Sequence, residues 1–489
     1  MATADASQTG LVWFKRDLRL TDNPALHAAV RSGRPLILLY IRDDDRAISL
    51  SPGRASDWWL HQSLDALTSQ LGRAGGDLIL RSGKAEAVIS EICRDYDVAE
   101  VFWNQSELPW IDDRDRAIAH TLVDQKIKPR VFRSSILLDH ARVLTKSETP
   151  FKVFSAFWRA ASRDFSPADP LPAPDHLSTL DGVASDRLAD WSLCPENPNW
   201  ASAFPEHWTP GEDGARARLK LFLDAAVNRY AEHRDRPDID GTSRLSAHLA
   251  FGEISPRLVW HALSTALEAG ASQEQVDKYR AELGWREFAY YLFHHFGDLR
   301  RKNFNPAFDA FPWREDAEAL RRWRFGQTGI PMVDAGMRQL YGSGWMHNRV
   351  RMITGSYLVK HLGLHWKDGM AWFEDTLVDA DPVVNAVSWQ WVAGSGADAA
   401  PYFRIFNPVS QGEKFDPAGD YVRNWVSEIN RLPKASIHQP WMAPPLTAIE
   451  AGLRLGETYP EPLIDLKEGR QRALDSYAIA KETHAAKKV

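Results

Sequence analysis

The sequence predicts an α/β unit with a doubly wound parallel sheet, followed by a long connector and an all-helical unit. In the first 135 residues, short apolar runs alternate with helical stretches. The segment 162–214 is rich in Pro, Ser, Asp and Ala, and beyond it the apolar residues recur with the period of a helix. We therefore place the predicted units at residues 1–135, 136–215 and 216–489.

The first unit contains five candidate strands, each an almost continuous apolar run. They begin about 20–40 residues apart, which leaves room for one helix between consecutive strands. This pattern is typical of a parallel sheet that is covered on both faces. The predicted strands are Leu11–Phe14, Leu36–Ile41, Asp77–Leu80, Glu100–Trp103 and Arg130–Phe132. No GxGxxG follows the first of them, so the dinucleotide-binding fingerprint is absent.

The connector is expected to wrap the surface because its prolines do not fit a packed element. After it, the apolar side chains lie on one stripe of a predicted amphipathic helix. The stripe consists of Leu219, Phe222, Leu223, Ala226, Val227 and Tyr230. Helical patterning then continues to about residue 480.

Composition excludes several classes of protein. Two cysteines supply neither a disulfide framework nor an iron–sulfur cluster, and no metal-ligand spacing occurs, so no metal is expected. No apolar run approaches the ~20 residues that cross a bilayer, and no signal-like segment precedes Leu11. We predict a cytoplasmic protein without membrane contact.

The charge distribution leaves nucleic-acid binding open. A net charge of −6 argues against it, because binding to phosphates calls for a basic face. Between Arg321 and Arg351, however, six arginines accompany a single acid, Asp334. This run forms either a basic surface or ordinary solvated helix faces.

Two segments carry residue types suited to a binding site. Gly241–Gly252 places hydroxyls and a guanidinium at a predicted helix start, where either an anion binds or the hydroxyls of Thr242, Ser243 and Ser246 act as N-caps. Further on, Glu282, Trp285 and Arg286 share one helical face. That face forms either a polar pocket wall or a Glu–Arg surface pair beside a core indole.

Two tryptophans further along the chain are also candidates for a binding site. Trp389 and Trp391 are two residues apart, so on one helix they point in different directions, one inward and the other to a cavity. His347 stands alone in an arginine-rich run, and we interpret it as a hydrogen-bonded structural residue.

Taken in order, five segments resemble the photolyase/cryptochrome family, and together they cover the chain from Leu11 to about Trp425. The segments are Val12–Asn23, Gly241–Gly252, Trp285–Phe288, Gly344–Met352 and Trp389–Lys414. The resemblance implies an N-terminal α/β antenna domain and an all-helical domain that binds a U-shaped FAD.

The resemblance assigns residues to the cofactor one position at a time. Those that match the lining of the flavin phosphate and ribitol are Tyr230, Thr242, Ser243, Leu245 and Ser246. Arg351 and Asp379 match a salt bridge over the isoalloxazine ring, Asp381 lies beside that ring, and Asn385 matches the residue that faces flavin N5.

The same comparison assigns the substrate and electron-transfer residues. The thymine-dimer pocket corresponds to Glu282, Trp285, Asn348, Met352 and Trp391. The positions that hold the DNA phosphates around a flipped lesion correspond to Arg234, Arg349, Arg404 and Lys414. The electron-relay chain that reduces resting flavin in light corresponds to Trp389, Trp366 and Trp313.

The implied activity is light-dependent repair of cyclobutane pyrimidine dimers in DNA, by electron transfer from excited reduced FAD to a flipped-out dimer. A cryptochrome-type photoreceptor is the alternative; its plant members carry Asp at the Asn385 position and change the pocket tryptophans. A (6-4) photolyase would carry histidines in place of Asn348 and Met352. Trp391 argues against the DASH type, which acts mainly on single strands.

The segment Gly53–Leu64 resembles plant cryptochromes more than the familiar bacterial photolyases, which indicates the class III branch. The resemblance therefore implies 5,10-methenyltetrahydrofolate as antenna, with Glu107 and Trp110 as candidate contacts, although Trp110 and Ile111 depart from the polar residues of bacterial relatives. The expected partner is dimer-containing DNA, bound by a monomer with no obligate protein partner.

Overall fold

A computed structural model describes residues 8–43, 53–399 and 403–486. Its N-terminal unit is built on one sheet of five parallel strands in the order β3-β2-β1-β4-β5. The strands are β1 Thr9–Phe14, β2 Leu36–Arg42, β3 Leu78–Ser82, β4 Val98–Asn104 and β5 Lys128–Phe132. All five predicted strands are therefore confirmed, with ends that shift by at most two residues.

Both faces of the sheet are covered, as the apolar runs predicted. Four helices lie between the strands: α1 Pro24–Arg31, α2 Arg54–Arg73, α3 Ala85–Asp95 and α4 Pro109–Asp124. Alternate residues of a strand join different apolar clusters, since successive side chains point to opposite faces. In β1, Leu11 and Trp13 belong to one cluster, and Val12 and Phe14 belong to another.

The connector is not only a loop on the surface, because parts of it are helical and buried. It contains two short helices, α5 Phe154–Ser162 and α6 Phe204–His207. Its backbone bonds to the start of β2, where Leu36 N donates to Ser178 O at 2.8 Å. Phe204 and Trp208 are buried, and the indole of Trp208 donates to Ser343 O of the helical unit at 2.7 Å. Through these contacts the connector is packed against both units and holds them together.

In the residues that the structure describes, the C-terminal unit consists of helices and the loops that connect them, with no β-strand. Its helices are α7 Glu212–Ala225, α8 Tyr230–His233, α9 Ser246–Phe251, α10 Pro256–Glu268, α11 Gln273–Phe296, α12 Ala317–Arg324, α13 Pro331–Ser343, α14 Asn348–Ser356, α15 Trp366–Thr376, α16 Pro382–Ala393, α17 Pro408–Phe415, α18 Asp420–Trp425, α19 Pro445–Ala451 and α20 Leu466–Ala486. Across the described part of the chain, none of the helices combines the length and apolar character that a membrane crossing needs.

The predicted single helix over residues 219–230 is wrong, although its apolar stripe packs into one cluster. α7 ends at Ala225, and a 3₁₀ turn over Val227–Arg229 precedes α8. The neighbouring α11 satisfies a backbone donor near the break, because Gln275 Oε1 accepts from Ala231 N at 2.7 Å. Tertiary contacts thus outweigh a local helical pattern.

The two units meet closely at the end of β1. α9 ends at Gly252 with φ +68°, and a Cβ there would lie 2.0 Å from Arg16 O. Only glycine permits both that backbone conformation and that approach. On another side, Arg54 of α2 forms a salt bridge with Asp375 of α15. The contact at Gly252 brings the carboxyl edge of the sheet against the helical unit.

Candidate functional site

Asp381 stands at the start of α16 and is held from three directions. Its Oδ1 accepts from Val383 N and Val384 N at 2.9 and 3.0 Å, as an N-cap carboxylate does. Its Oδ2 accepts from the hydroxyl of Tyr290 in α11, and Arg16 Nη1 lies 3.9 Å away. The carboxylate is therefore fixed in orientation, and it couples α11 to α16.

Arg351 and Asp379 form the predicted ion pair, with Arg351 Nη2 2.8 Å from Asp379 Oδ2. Arg351 Nε also donates to Met346 O at 2.7 Å. The Asp379 side chain is only 2% exposed, and its Oδ1 is buried without a hydrogen-bond partner. A buried carboxylate oxygen in this state calls for a donor that the chain does not supply.

The hydroxyls of the Gly241–Gly252 segment do not cap α9, so that reading of the sequence is wrong. Leu245 occupies the N-cap position without a side-chain bond. The Oγ of Ser243 instead accepts from the hydroxyl of Tyr279 at 2.9 Å and from Leu245 N at 3.3 Å. Arg244 has φ +51°, and its guanidinium lies 5.2 Å from the ring centroid of Trp345. A strained, tethered loop of this kind is common at binding sites.

The remaining residues matched to the cofactor surround these groups. Tyr230 is buried against Tyr279, with 5.1 Å between ring centroids, and Leu245 is buried in the same cluster. Thr242 is half-buried, and Ser246 is exposed. The amide of Asn385, half-buried on α16, donates to Met370 O at 3.1 Å.

Glu282, Trp285 and Arg286 lie on α11 as predicted, but they engage different neighbours. Glu282 forms a salt bridge with Arg234. The Glu–Arg pair that the sequence indicated therefore forms, but its arginine is Arg234 and not Arg286. The indole of Trp285 stacks on Phe154 with centroids 3.7 Å apart. Arg286 donates to Ser135 O at 2.9 Å, away from Glu282.

α14 begins at the residues matched to the dimer pocket. Asn348 is exposed and Met352 is half-buried. His347 is the N-cap, and its Nδ1 accepts from Arg349 N at 3.2 Å. Burial lowers the pKa of His347 to about 3. The histidine is therefore a neutral structural residue, as the sequence indicated.

Of the four cations matched to DNA phosphates, two are engaged by acids and two by aromatic rings. Arg234 bonds to Glu282, and Arg349 Nη2 lies 2.7 Å from Asp235 Oδ2. The guanidinium of Arg404 lies 5.6 Å from the Trp391 ring centroid, and Lys414 Nζ lies 5.0 Å from that of Phe415. A cleft with about 910 Å³ of empty space, its open mouth included, lies beside Arg349 and Lys414.

The arginine-rich run from Arg321 to Arg351 does not form a free basic surface. Its arginines lie apart, and each of the following salt bridges neutralises one of them: Arg321–Glu318, Arg338–Glu428, Arg349–Asp235 and Arg351–Asp379. Four of the six arginines are therefore paired with acids from outside the run. Arg322 instead donates to the carbonyl oxygens of Gln327 and Glu461, and the guanidinium of Arg324 lies 5.2 Å from the Trp372 ring centroid.

The three tryptophans matched to the electron-relay chain differ in exposure. Trp389 and Trp366 are buried, whereas Trp313 is half-buried. His365 links the outer two, with its ring 5.7 Å from Trp366 and 5.0 Å from Trp313. One turn after Trp366, a Cβ at Gly369 would lie 2.2 Å from the Trp389 ring, so glycine permits this indole to touch α15.

The two antenna candidates are in different surroundings. Glu107 borders a narrow cleft between the units, together with Arg16, Arg286 and Tyr290. Burial raises the pKa of Glu107 to about 7, and its Oε1 has no hydrogen-bond partner. Trp110 does not line this cleft; Arg300 lies 3.4 Å from its ring centroid.

Sequence reasoning missed two residues that organise the site, Tyr290 and Asp235, and it gave Arg244 only a place at a predicted helix start. Tyr290 lies one helical turn after Arg286, a spacing that could have placed it on the face of the candidate pocket. Asp235 directly follows Arg234, and Arg244 lies inside a recognised segment. Tyr290 bonds to Asp381 and Asp235 bonds to Arg349, partners that are remote in sequence, so no local pattern marks these two roles. Arg244 also has a local partner, since its Nε lies 3.1 Å from Asp240 Oδ1.

Comparison with known proteins agrees with this architecture. The family model "DNA photolyase" matches residues 10–175, and "FAD binding domain of DNA photolyase" matches residues 279–479. The deoxyribodipyrimidine photo-lyase of Agrobacterium fabrum is 48% identical over 97% of this chain and 98% of its own length. Cryptochrome-1 of Arabidopsis thaliana is 36% identical over 97% of this chain and 71% of its own length.

Among solved structures, that of a bacterial class III photolyase from Agrobacterium tumefaciens matches with a TM-score of 0.95 at 47% identity, covering 99% of both chains. The fold and the matched domain thus define a flavoprotein in which a parallel-sheet domain accompanies a helical FAD-binding domain. This chain belongs to the photolyase/cryptochrome family.

Proposed function

We propose that this protein repairs cyclobutane pyrimidine dimers in DNA by a light-driven electron transfer from FAD. The observation that carries the proposal is the sharing of two helices by cofactor and substrate residues. α14 holds Arg351 one residue before Met352, and α16 holds Asn385 ahead of Trp389 and Trp391. Flavin and dimer bound to these residues would be neighbours, as a direct electron transfer requires.

The residues present fit the cofactor. Asp379 Oδ1 is a buried acceptor without a donor, beside the paired Arg351, and a flavin ring carries an N–H group that would satisfy it. Ser243, held by Tyr279, would add a hydroxyl on the phosphate side. When bound, FAD absorbs blue light in its reduced form and supplies the electron that splits the cyclobutane ring.

The chain's own residues would bind and orient the lesion. A dimer weakens base pairing and stacking, so extruding it from the duplex costs little. Trp285, held rigid by its stack on Phe154, and Trp391, half-buried on α16, supply apolar walls. Glu282 accepts hydrogen bonds from a base edge. No general base is needed because the electron returns after the ring opens.

A blue-light photoreceptor is the second candidate, and the similarity to Cryptochrome-1 of Arabidopsis thaliana is the observation in its favour. Asn385, Trp285 and Trp391 favour repair, since plant cryptochromes replace these residue types. Loss of dimers from DNA under blue light, measured with the purified, chemically reduced protein, decides between the two. A protein that binds FAD and photoreduces but removes no dimers would be a photoreceptor.

We expect Glu282→Ala and Trp285→Ala each to weaken binding and repair of dimer-containing DNA about 10- to 100-fold, since a desolvated hydrogen bond or a stacking wall is worth ~1–3 kcal/mol. FAD content should be unchanged. Repair under saturating light and duplex binding are the measurements. Glu274→Ala, an exposed acid earlier on α11, is the control. Normal repair by both pocket variants would remove these residues from the lesion site.

We further propose that 5,10-methenyltetrahydrofolate occupies the cleft beside Glu107 as an antenna. A pterin carries N–H donors, and Glu107 Oε1 is a buried acceptor without a partner. Donors stabilise the ionised carboxylate. Because the pKa of Glu107 is raised to about 7 by burial, the folate should bind best above pH 7 and be lost progressively below it.

Folate occupancy, read from its near-ultraviolet absorbance relative to flavin, should therefore fall between pH 8 and pH 6. Glu107→Gln should lower it about tenfold at pH 8 and abolish the pH dependence. Trp110→Phe is the control, because Trp110 lies outside the cleft lining. Equal occupancy in Glu107→Gln and the unaltered protein would place the antenna elsewhere.

A further inference from the structure

Four charged residues form a continuous chain at the mouth of the candidate lesion site. Glu282 pairs with Arg234, whose Nε lies 3.7 Å from Asp235 Oδ1, and Asp235 Oδ2 lies 2.7 Å from Arg349 Nη2. The chain carries two positive and two negative charges, so it presents no net charge to an approaching phosphate. Asp235 is its centre, because it contacts both arginines.

The geometry at Arg349 matters because a guanidinium binds phosphate best with two parallel N–H donors. Its Nη2, which belongs to both two-donor edges of the fork, donates one of its two N–H groups to Asp235. Its Nε is buried without a partner, and the group lies 4.4 Å from the ring centroid of Phe415. Because Asp235 lies at the nitrogen common to both edges, a phosphate that binds Arg349 through two donors comes close to this carboxylate and competes with it for the guanidinium.

Asp235 is also placed where a phosphate can reach it. Asp235, Arg349 and Lys414 line the same open cleft, and the Asp235 side chain is 29% exposed. The nearby Lys414 lies against Phe415. A backbone phosphate entering the cleft therefore meets a carboxylate already bonded to one of the groups it would use.

We propose that Asp235 is an internal competitor of the DNA backbone: it occupies Arg349 in the free protein, and a phosphate must displace it to bind. This inference rests on the proposed repair function. In the free protein the Asp235 carboxylate binds Arg349 in place of a phosphate, and in the complex it repels the bound phosphate. It thereby lowers the affinity for damaged and repaired DNA together, and so hastens release of the repaired strand.

The direction of the change in DNA affinity when Asp235 is neutralised distinguishes a competitor from a residue that supports binding. If Asp235 merely oriented Arg349 toward DNA, neutralising it would weaken binding. For a competitor, Asp235→Asn should bind an undamaged duplex and a duplex with one thymine dimer more tightly, each about fivefold, the size expected of a partly exposed ion pair. The salt dependence of log K should steepen by roughly one unit, since one more cation becomes available to phosphate.

The experiment measures affinity and dissociation rate for both duplexes at several salt concentrations, with the FAD-loaded protein. Asp224→Asn is the matched control, because it removes the same charge from an exposed pair with Lys220 on α7. Asp235→Ser serves as a second variant, and flavin content reports correct folding. In the double variant, Arg349→Ala should cancel the gain in DNA affinity that Asp235→Asn produces alone. Dissociation of repaired DNA should slow about fivefold.

Unchanged or weaker binding by both Asp235 variants, with flavin retained, overturns the competitor role. A gain equal to that of Asp224→Asn overturns it too, since net charge alone would then explain the change. Failure of the proposed repair function has a different signature: the unaltered protein would neither prefer the dimer-containing duplex nor remove dimers in light.

Discussion

Replacing Trp389 with Phe should abolish efficient photoreduction of oxidised flavin while leaving repair by chemically reduced flavin intact. Phenylalanine is far harder to oxidise than an indole, and each 1.4 kcal/mol added to a barrier slows a step tenfold, so we expect photoreduction to slow at least about 100-fold. Repair should persist because that electron passes from flavin to dimer without a relay.

The fold should survive this change. The Trp389 Nε1 has no hydrogen-bond partner, so Phe loses no bond there. Contacts with Phe373, 4.9 Å between centroids, and with Trp323 remain available to a smaller ring. A loss of less than ~1.5 kcal/mol in the free energy of unfolding is expected.

Flavin absorbance under blue light with external reductant, followed by dimer loss after dithionite reduction, measures both activities on one preparation. Trp103→Phe is the control, since Trp103 is a buried indole in the sheet domain. Photoreduction at the normal rate in Trp389→Phe would mean that electrons enter by another route, and Trp345 and Trp372 would be tested next.

Arg351→Ala should lower both the free energy of unfolding and the flavin content of the protein. The partner, Asp379, is 2% exposed, and removing the cation leaves a buried carboxylate with no compensation. Breaking a buried pair in this way costs ~3–5 kcal/mol; because Arg351 itself is 23% exposed, we expect about 3 kcal/mol. Urea unfolding and the ratio of flavin to protein absorbance are the measurements.

Arg338→Ala provides a closely matched control. Arg338 is also 23% exposed and also donates its Nε to a backbone oxygen, but its partner Glu428 is 31% exposed and can be hydrated. We expect a loss of no more than about 1 kcal/mol and normal flavin content. If Asp379→Asn in the Arg351→Ala background restores no stability, the buried charge is not the cause of the loss.

The sequence by itself determined the architecture and the membership of the family. Apolar runs such as Leu36–Ile41 have one stable arrangement, a strand covered on both faces, because burial of that many apolar side chains outweighs other contributions. The same holds for α16, where Trp389 and Trp391 had to point in different directions. These are local properties, set by residues near one another in the chain.

Only the tertiary structure decided how the polar groups pair. The backbone N–H of Ala231, in the helix that follows the break, bonds to Gln275, 44 residues later, and Arg349 donates to Asp235, 114 residues earlier. A charged group pairs with whatever the fold brings within ~4 Å, so its partner is not encoded in its neighbours. For this reason the arginine-rich run was compatible with a basic surface in the sequence, whereas the folded chain pairs four of its six arginines with separate acids.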